Sequence, residues 1–338
     1  MRALAIDRPG SARVVERPRP VPGPDEVLVR VQRAGLCGTD LSTFLGKNPL
    51  VSYPRVIGHE IAGTIEELGA GVTGWMAGAR VTLSPYKNCG ACAACRQARP
   101  NACRNNQTLG VQREGALAEF AVVAANRLFT SATLSMDHLA LVEPFCIGMH
   151  AVRRARVTGR DTVLVMGCGG VGAGAVAAAA GRGARVVAMD VDTGKLAQAV
   201  ALGADATVIS TQADAKDRIA ALTDGEGPDV VIEAVGKPAT YRLALDLVAA
   251  CGRVVYIGWV KGDIALEARQ IVAKEVDLLG SRNAIDEFAE VITLFESGRV
   301  DPLALVTDRV TLDDVPGMFS RWADRPETVG KILVVVGE

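Results

Sequence analysis

Four cysteines crowd into fifteen residues, Cys89-Gly-Ala-Cys92-Ala-Ala-Cys95 followed by seven residues and Cys103. Four thiolates so spaced can close a tetrahedral shell around one zinc with no position left open, the make-up of a structural site. Iron-sulfur clusters also use close cysteine runs, although here the last interval is longer than in the bacterial ferredoxin run and no proline follows Cys103. Disulfides are the third reading, disfavoured where thiols stay reduced. A closed shell excludes substrate, so the lobe reads as scaffold. Upstream, Arg55-Val56-Ile57-Gly58-His59-Glu60 sets an imidazole beside a carboxylate, and both are good ligands for a divalent ion. Taken alone the pair reads first as a surface strand or turn, until something else in the sequence calls for a metal. Cys37, in Cys37-Gly38-Thr39-Asp40, follows a strand and a glycine turn, where a thiol either faces a site or is a small buried apolar group.

A second chemistry lies downstream. The run Gly167-Cys168-Gly169-Gly170-Val171-Gly172 follows the apolar stretch Thr162–Met166 and opens an alanine-rich helix, and the next strand, Arg185 to Met189, leads into Asp190. Glycines there let the backbone approach a pyrophosphate at a helix N-terminus, while Asp190 accepts hydrogen bonds from the adenosine ribose hydroxyls. A 2'-phosphate would face a carboxylate, which favours NAD over NADP. The plain alternative is a glycine turn in a nucleotide-free domain.

The elements that must hold these groups follow from composition and pattern. At 338 residues, 49% hydrophobic and 22% charged, the chain has material for two cores. A net charge of -1 without long like-charge runs supplies no footprint for nucleic acid or a membrane surface and leaves small molecules as partners. The first residues meet a charge too early for a signal peptide, and Arg182 closes the alanine run Ala173 to Ala180 far short of a span, so a soluble cytoplasmic protein is expected. Residues 1–85 read as β-rich, with a proline loop at 18–24 and strands at 26–31, 61–68 and 80–83. Glu143-Pro144 opens a helix, placing Glu143 at its N-terminus. From Asp161 strands and helices alternate, and six strands (162–166, 185–189, 206–209, 229–233, 253–257, 276–279) make a doubly wound sheet with Gly236 and Gly258 at strand ends. A helix at 286–297 and a last strand at 331–336 are expected to pack back on the first domain.

Together Cys37-Gly38-Thr39-Asp40, Gly58-His59-Glu60, the cysteine lobe, Glu143-Pro144 and the glycine run, in that order, resemble the zinc-dependent medium-chain alcohol dehydrogenases over essentially the whole chain, and most of all their polyol, sorbitol and sugar-acid branch. The resemblance implies an α/β protein with a GroES-like β-rich catalytic domain, residues 1–147 and 286–338, and a Rossmann domain, residues 148–285. It implies two zinc ions per chain: a structural one on the four cysteines and a catalytic one on Cys37, His59 and Glu60, with Glu143 a fourth ligand or the partner of a zinc-bound water. Zinc then acidifies an alcohol that gives its hydride to NAD. Thr39 matches the family's relay hydroxyl, but Ser42 stands where many relatives carry histidine, so the proton leaves through Thr39, the cofactor ribose and water, or through Glu143. The cofactor set comprises Gly167, Gly169, Gly170, Val171, Gly172, Asp190, Lys195, Gly236, Gly258, Ser281 and Arg282. Arg282 with Arg113 would offer a bidentate partner to a substrate carboxylate. His138 and His150 read as structural, and Cys146, Cys168 and Cys251 as small buried residues. The substrate is a small alcohol and the assembly a homodimer or homotetramer. A threonine or simple-alcohol dehydrogenase shares every motif. A nucleotide-binding redox sensor would have no need of Cys37, His59, Glu60 and Glu143 together.

Overall fold

Val27, Val29 and Val31 alternate along the strand Glu26–Leu36 and enter a core with Ile61, Ile65, Val81, Leu83 and Ile332. In the computed structural model, which describes residues 1–337, this strand is central to a seven-stranded sheet. Its neighbours run in the order Leu128–Phe129, Arg80–Leu83, Glu60–Leu68, Glu26–Leu36, Lys331–Val335, Val306–Thr311, with Phe120–Ala124 also paired to Glu26–Leu36. Register does the positioning: Gly35 pairs with Glu60, and Leu36 with Ile332. The head of a strand from the far end of the chain is thereby delivered beside Glu60. A smaller sheet joins Ser11–Glu16, Arg2–Arg8 and Arg55–Val56.

These strands belong to one compact unit, Met1–Glu143 together with the residues from Leu305 onward; Pro144–Ala304 form the other. In the second, six parallel strands lie in the order Ala206–Ile209, Arg185–Asp190, Thr162–Met166, Val230–Glu233, Arg253–Tyr256, Asp277–Gly280. That is the 3-2-1-4-5-6 order of a complete doubly wound sheet. The helix Gly170–Gly181 is built of small residues because another backbone runs against it: a Cβ on Gly174 would stand 3.0 Å from Phe145 Cα.

The second unit runs to Ala304, beyond the boundary at 285 that pattern suggested, and it begins at Pro144. Helix Glu287–Glu296 is the reason. It buries Phe288, Val291, Ile292 and Phe295, sets Phe295 edge-on to Phe145 at 5.0 Å, and ties Glu287 to His150 Nδ1 at 2.7 Å. Helices Ala268–Lys274 and Val315–Asp324 were not expected. Cys251, expected to be buried, is exposed on a turn at φ +57°. Among the described residues no helix is long and apolar enough to cross a membrane.

Candidate active site and metal centres

The strands Tyr86–Lys87 and Gln107–Thr108 pair antiparallel and bracket the cysteine lobe. Within it the Sγ atoms of Cys89, Cys92, Cys95 and Cys103 all lie within 4.8 Å of one another, and the Cys92–Cys95 and Cys89–Cys103 pairs stand at 3.5 Å. Four sulfurs about 2.3 Å from a single zinc in a tetrahedron would be about 3.8 Å apart. At 3.5 Å neither pair is a disulfide, and a multi-iron cluster would hold its thiolates further apart than one ion does. Backbone N–H groups of Cys95 and Arg104 point at Cys92 and bring its thiol down to about 6, as a thiolate ligand needs.

The first unit also brings Cys37, His59 and Glu60 together, with ligand atoms within 4.8 Å of one another. Cys37 is the N-cap of the short helix Gly38–Phe44, and Asp40 in its first turn turns back to accept the Cys37 N–H at 2.9 Å. The other Asp40 oxygen is buried without a hydrogen-bond partner and faces His59 Nδ1, itself unpartnered, across 3.9 Å. Burial opposes a charged imidazole, yet Asp40, then Cys37 and Glu143, outweigh it and hold His59 well above its ordinary pKa. The fit to a divalent cation lies in the donors themselves: a thiol, a carboxylate and an imidazole nitrogen that no group of the protein satisfies, gathered at one point. Glu60 opens its strand, and Lys331 Nζ donates to both its oxygens at 2.8 Å and to Leu36 O at 3.2 Å. Gly35 leaves the room: a Cβ there would stand 1.9 Å from Glu60 Oε2. Glu143, in the first turn of helix Val142–Arg154, lies outside the trio that closes within 4.8 Å and accepts the Tyr86 hydroxyl at 2.6 Å. Burial first, then Glu60, raises its carboxyl pKa. Thr39 is half-buried in the same helix as Cys37 and Ser42, its carbonyl accepting the Thr43 hydroxyl at 2.9 Å.

In the second unit the glycine run turns from strand Thr162–Met166 into helix Gly170–Gly181. Gly167 adopts φ +87°, and a Cβ on Gly172 would lie 1.7 Å from Gly167 O, so this turn requires glycine at both positions. Gly169 is exposed, with open space where a side chain would stand, and Gly170 and Val171 begin the helix. This is a cradle with room above an N-terminus. Asp190 is bound into it, its Oδ2 accepting the Cys168 N–H at 2.7 Å and its Oδ1 the Asp192 N–H at 3.0 Å. Lys195 sits in the first turn of the next helix, half-buried, close enough to oppose the rise of the Cys168 thiol that burial and Asp190 cause. Gly236, Gly258 and Ser281 follow the fourth, fifth and sixth strands in order along the sheet, at its carboxyl edge. Ser281 is buried with its hydroxyl unpartnered, and the Arg282 guanidinium lies 5.8 Å over the Trp259 ring. Arg113, in the first unit, donates to Pro85 O at 3.1 Å.

Residues 23–133 match the alcohol dehydrogenase GroES-like domain and residues 170–297 the zinc-binding dehydrogenase domain. The chain is 33% identical to L-galactonate-5-dehydrogenase of Escherichia coli K12, over 95% of each chain. It is 32% identical to the sorbitol dehydrogenase of Bacillus subtilis 168, over 99% of this chain and 97% of that one. A crystal structure of an alcohol dehydrogenase from E. coli CFT073, complexed with NADH, superposes with a TM-score of 0.93 at 30% identity and covers 99% of both chains. The chain belongs to the zinc-dependent medium-chain alcohol dehydrogenase family, polyol branch. It is an oxidoreductase with a GroES-like unit and a doubly wound unit.

Three residues of this dehydrogenase's candidate site escaped the sequence: Asp40, Tyr86 and Lys331. Asp40 carried a signal, since an acidic residue three positions after Cys37 suits a helix N-terminus. Lys331 carried none, because its partner is 271 positions away.

Proposed function

We propose that this protein oxidises a secondary alcohol of a polyol, sugar or sugar acid of the aldonate type, with NAD as acceptor. The observation that carries the reading is the closure of half-buried Cys37 with buried His59 and Glu60 into one trio, with the His59 Nδ1 unpartnered. Cys37, His59 and Glu60 would hold a catalytic zinc, and the four lobe cysteines a second, structural one. Bound there, zinc supplies Lewis-acid acidification of the substrate hydroxyl, and the dinucleotide supplies the hydride acceptor. The chain's own residues do the rest. Asp40 faces the imidazole across 3.9 Å and places negative charge behind it, where carboxylates stand behind metal-binding histidines. Lys331 holds Glu60 so that its charge is compensated. Glu143, a carboxyl kept protonatable by burial and coupled to Tyr86, is placed to take up or hand on a proton, and Thr39 offers a second route. Asp190 and Lys195 receive the adenosine ribose, and the carboxylate of Asp190 sets NAD above NADP.

Relatives that act on L-galactonate and on sorbitol bracket the substrate class. A substrate carboxylate, the mark of the sugar-acid end, would look for a bidentate partner to Arg282, whose guanidinium lies over the Trp259 ring, and to Arg113. The lobe thiols are the reason to place the protein in the cytoplasm, where they stay reduced, and a homodimer or homotetramer is the expected assembly. The test is NAD and NADP reduction across polyols, sugars and aldonates, with L-threonine and simple alcohols included, before and after chelation, alongside zinc analysis. About two zinc ions per chain and chelator-sensitive, NAD-preferring turnover on a polyol or aldonate is the expected result. One zinc or none, with no turnover, would instead favour a nucleotide-binding sensor. Equal activity on matched polyols and aldonates, unchanged in Arg113→Ala and Arg282→Ala, would exclude recognition of a substrate carboxylate by these arginines.

A further inference from the structure

Glu233 is the last residue of the fourth parallel strand and is completely buried. A carboxylate at that depth must be compensated by donors, and its Oε1 has three: the N–H of Val235 at 3.0 Å, the N–H of Gly236 at 2.8 Å and the Thr240 hydroxyl at 2.7 Å. Its backbone carbonyl accepts from Ile257 and Gly258, in the loop after the fifth strand. The two loops meet without side chains between them. A Cβ on Gly258 would stand 2.2 Å from Gly236 N and 2.8 Å from Glu233 Oε2, and one on Gly236, at φ +76°, would stand 2.8 Å from Trp259 O. Tyr241 adds a clamp by donating to Gly258 O at 2.5 Å. Val235 in turn abuts the glycine run, since a Cβ on Gly167 would lie 2.7 Å from its Cγ2. One residue therefore fixes the loops after strands four and five against each other and against the loop after strand one. The second carboxylate oxygen is buried without a hydrogen-bond partner, so the donors that compensate the group converge on the one oxygen that orders the loops.

A doubly wound sheet of this order binds a dinucleotide as two halves, adenosine on strands one to three and the second mononucleotide on strands four to six. We infer that Glu233 is a positioning residue for the nicotinamide half, acting through the Val235–Gly236 and Ile257–Gly258 loops without touching the cofactor. The inference rests on the NAD reading above. Glu233→Gln keeps the shape and an acceptor but removes the charge that orders the three donors, and Thr240→Val removes one donor alone.

Equilibrium binding of NADH, followed by nicotinamide fluorescence on the full-length protein, is compared with binding of AMP, which reports the adenosine half. Glu233→Gln should weaken NADH about tenfold, the scale of hydrogen bonds to a charged acceptor, and leave AMP within about twofold. Thr240→Val should shift NADH in the same direction by a smaller factor. NADH affinity unchanged in both variants would overturn the role of Glu233. AMP weakened as much as NADH would also overturn it, showing general support of the fold. Wild-type protein that bound neither ligand would overturn the cofactor reading and the inference together.

Discussion

Glu60 and Lys331 form a buried ion pair from opposite ends of the chain, and both carboxylate oxygens are engaged. Pairs of this kind add little net stability when intact, but stripping one partner leaves an uncompensated charge in a dry site. Lys331→Met should therefore lower the unfolding free energy by about 3–5 kcal/mol, read from urea transitions. Adding Glu60→Gln to that variant should return most of the loss, because the stranded charge is gone. A single-variant loss below about 1 kcal/mol would mean that Glu60 finds its compensation elsewhere. Chemistry at this scale was partly legible. Asp190 and the four lobe cysteines stood out by type and local spacing, Cys37, His59 and Glu60 only in company with the other motifs, whereas Lys331 and Tyr86 are ordinary residues until the fold brings them to a carboxylate.

Elements were legible where the pattern was local. Strand Thr162–Met166 is apolar and buried from Val163 on because both its faces are covered, and its glycine turn follows at once. Which unit helix Glu287–Glu296 belongs to could not be read from its own periodicity, because that depends on His150, Phe145 and Arg182. The Glu287–His150 contact between two helices gives a pH prediction. Burial opposes the Glu287 carboxylate, but the His150 contact and the Ile285 N–H outweigh it and leave the pKa lowered. A lowered folded-state pKa stabilises above the ordinary carboxyl range and is lost as pH falls through the folded value. Glu287→Gln should thus flatten the loss of stability below about pH 4.5 while costing about 1–3 kcal/mol near neutrality. An acid limb as steep as the wild type's would locate the sensitivity in other groups. The lobe between Tyr86 and Thr108 buries few apolar side chains, Tyr86, Cys92 and Cys103 among them, so metal must supply what a core does not. Chelation should open it to trypsin at Arg96 and Arg104 while the parallel-sheet unit stays resistant. Equal resistance before and after chelation would show that the lobe folds without metal.

For the whole molecule, the order of the first unit's sheet is the feature with most consequence. The strand Lys331–Val335 is internal, paired antiparallel to Glu26–Leu36 on one side and parallel to Val306–Thr311 on the other. The chain's end therefore completes the unit that its beginning starts, and Pro144–Ala304 lies between them as an uninterrupted segment. No local pattern shows this, since an apolar strand of five residues fits many sheets equally well. A chain ended at Gly330 would lose the internal strand, the partner of Glu60, and Ile332, Leu333 and Val334 from the buried core. Internal strands cannot be replaced by water, because their neighbours' ladder groups are left buried and unpaired. Hydrogen exchange on that truncated chain should show protection lost along Glu26–Leu36 and Glu60–Leu68 but kept along Thr162–Met166 and Val230–Glu233, whose pairing is entirely within the second unit. Protection kept in all four strands would show that the first sheet closes without its last-made member. Protection lost in all four would mean that the parallel sheet cannot stand without the first unit.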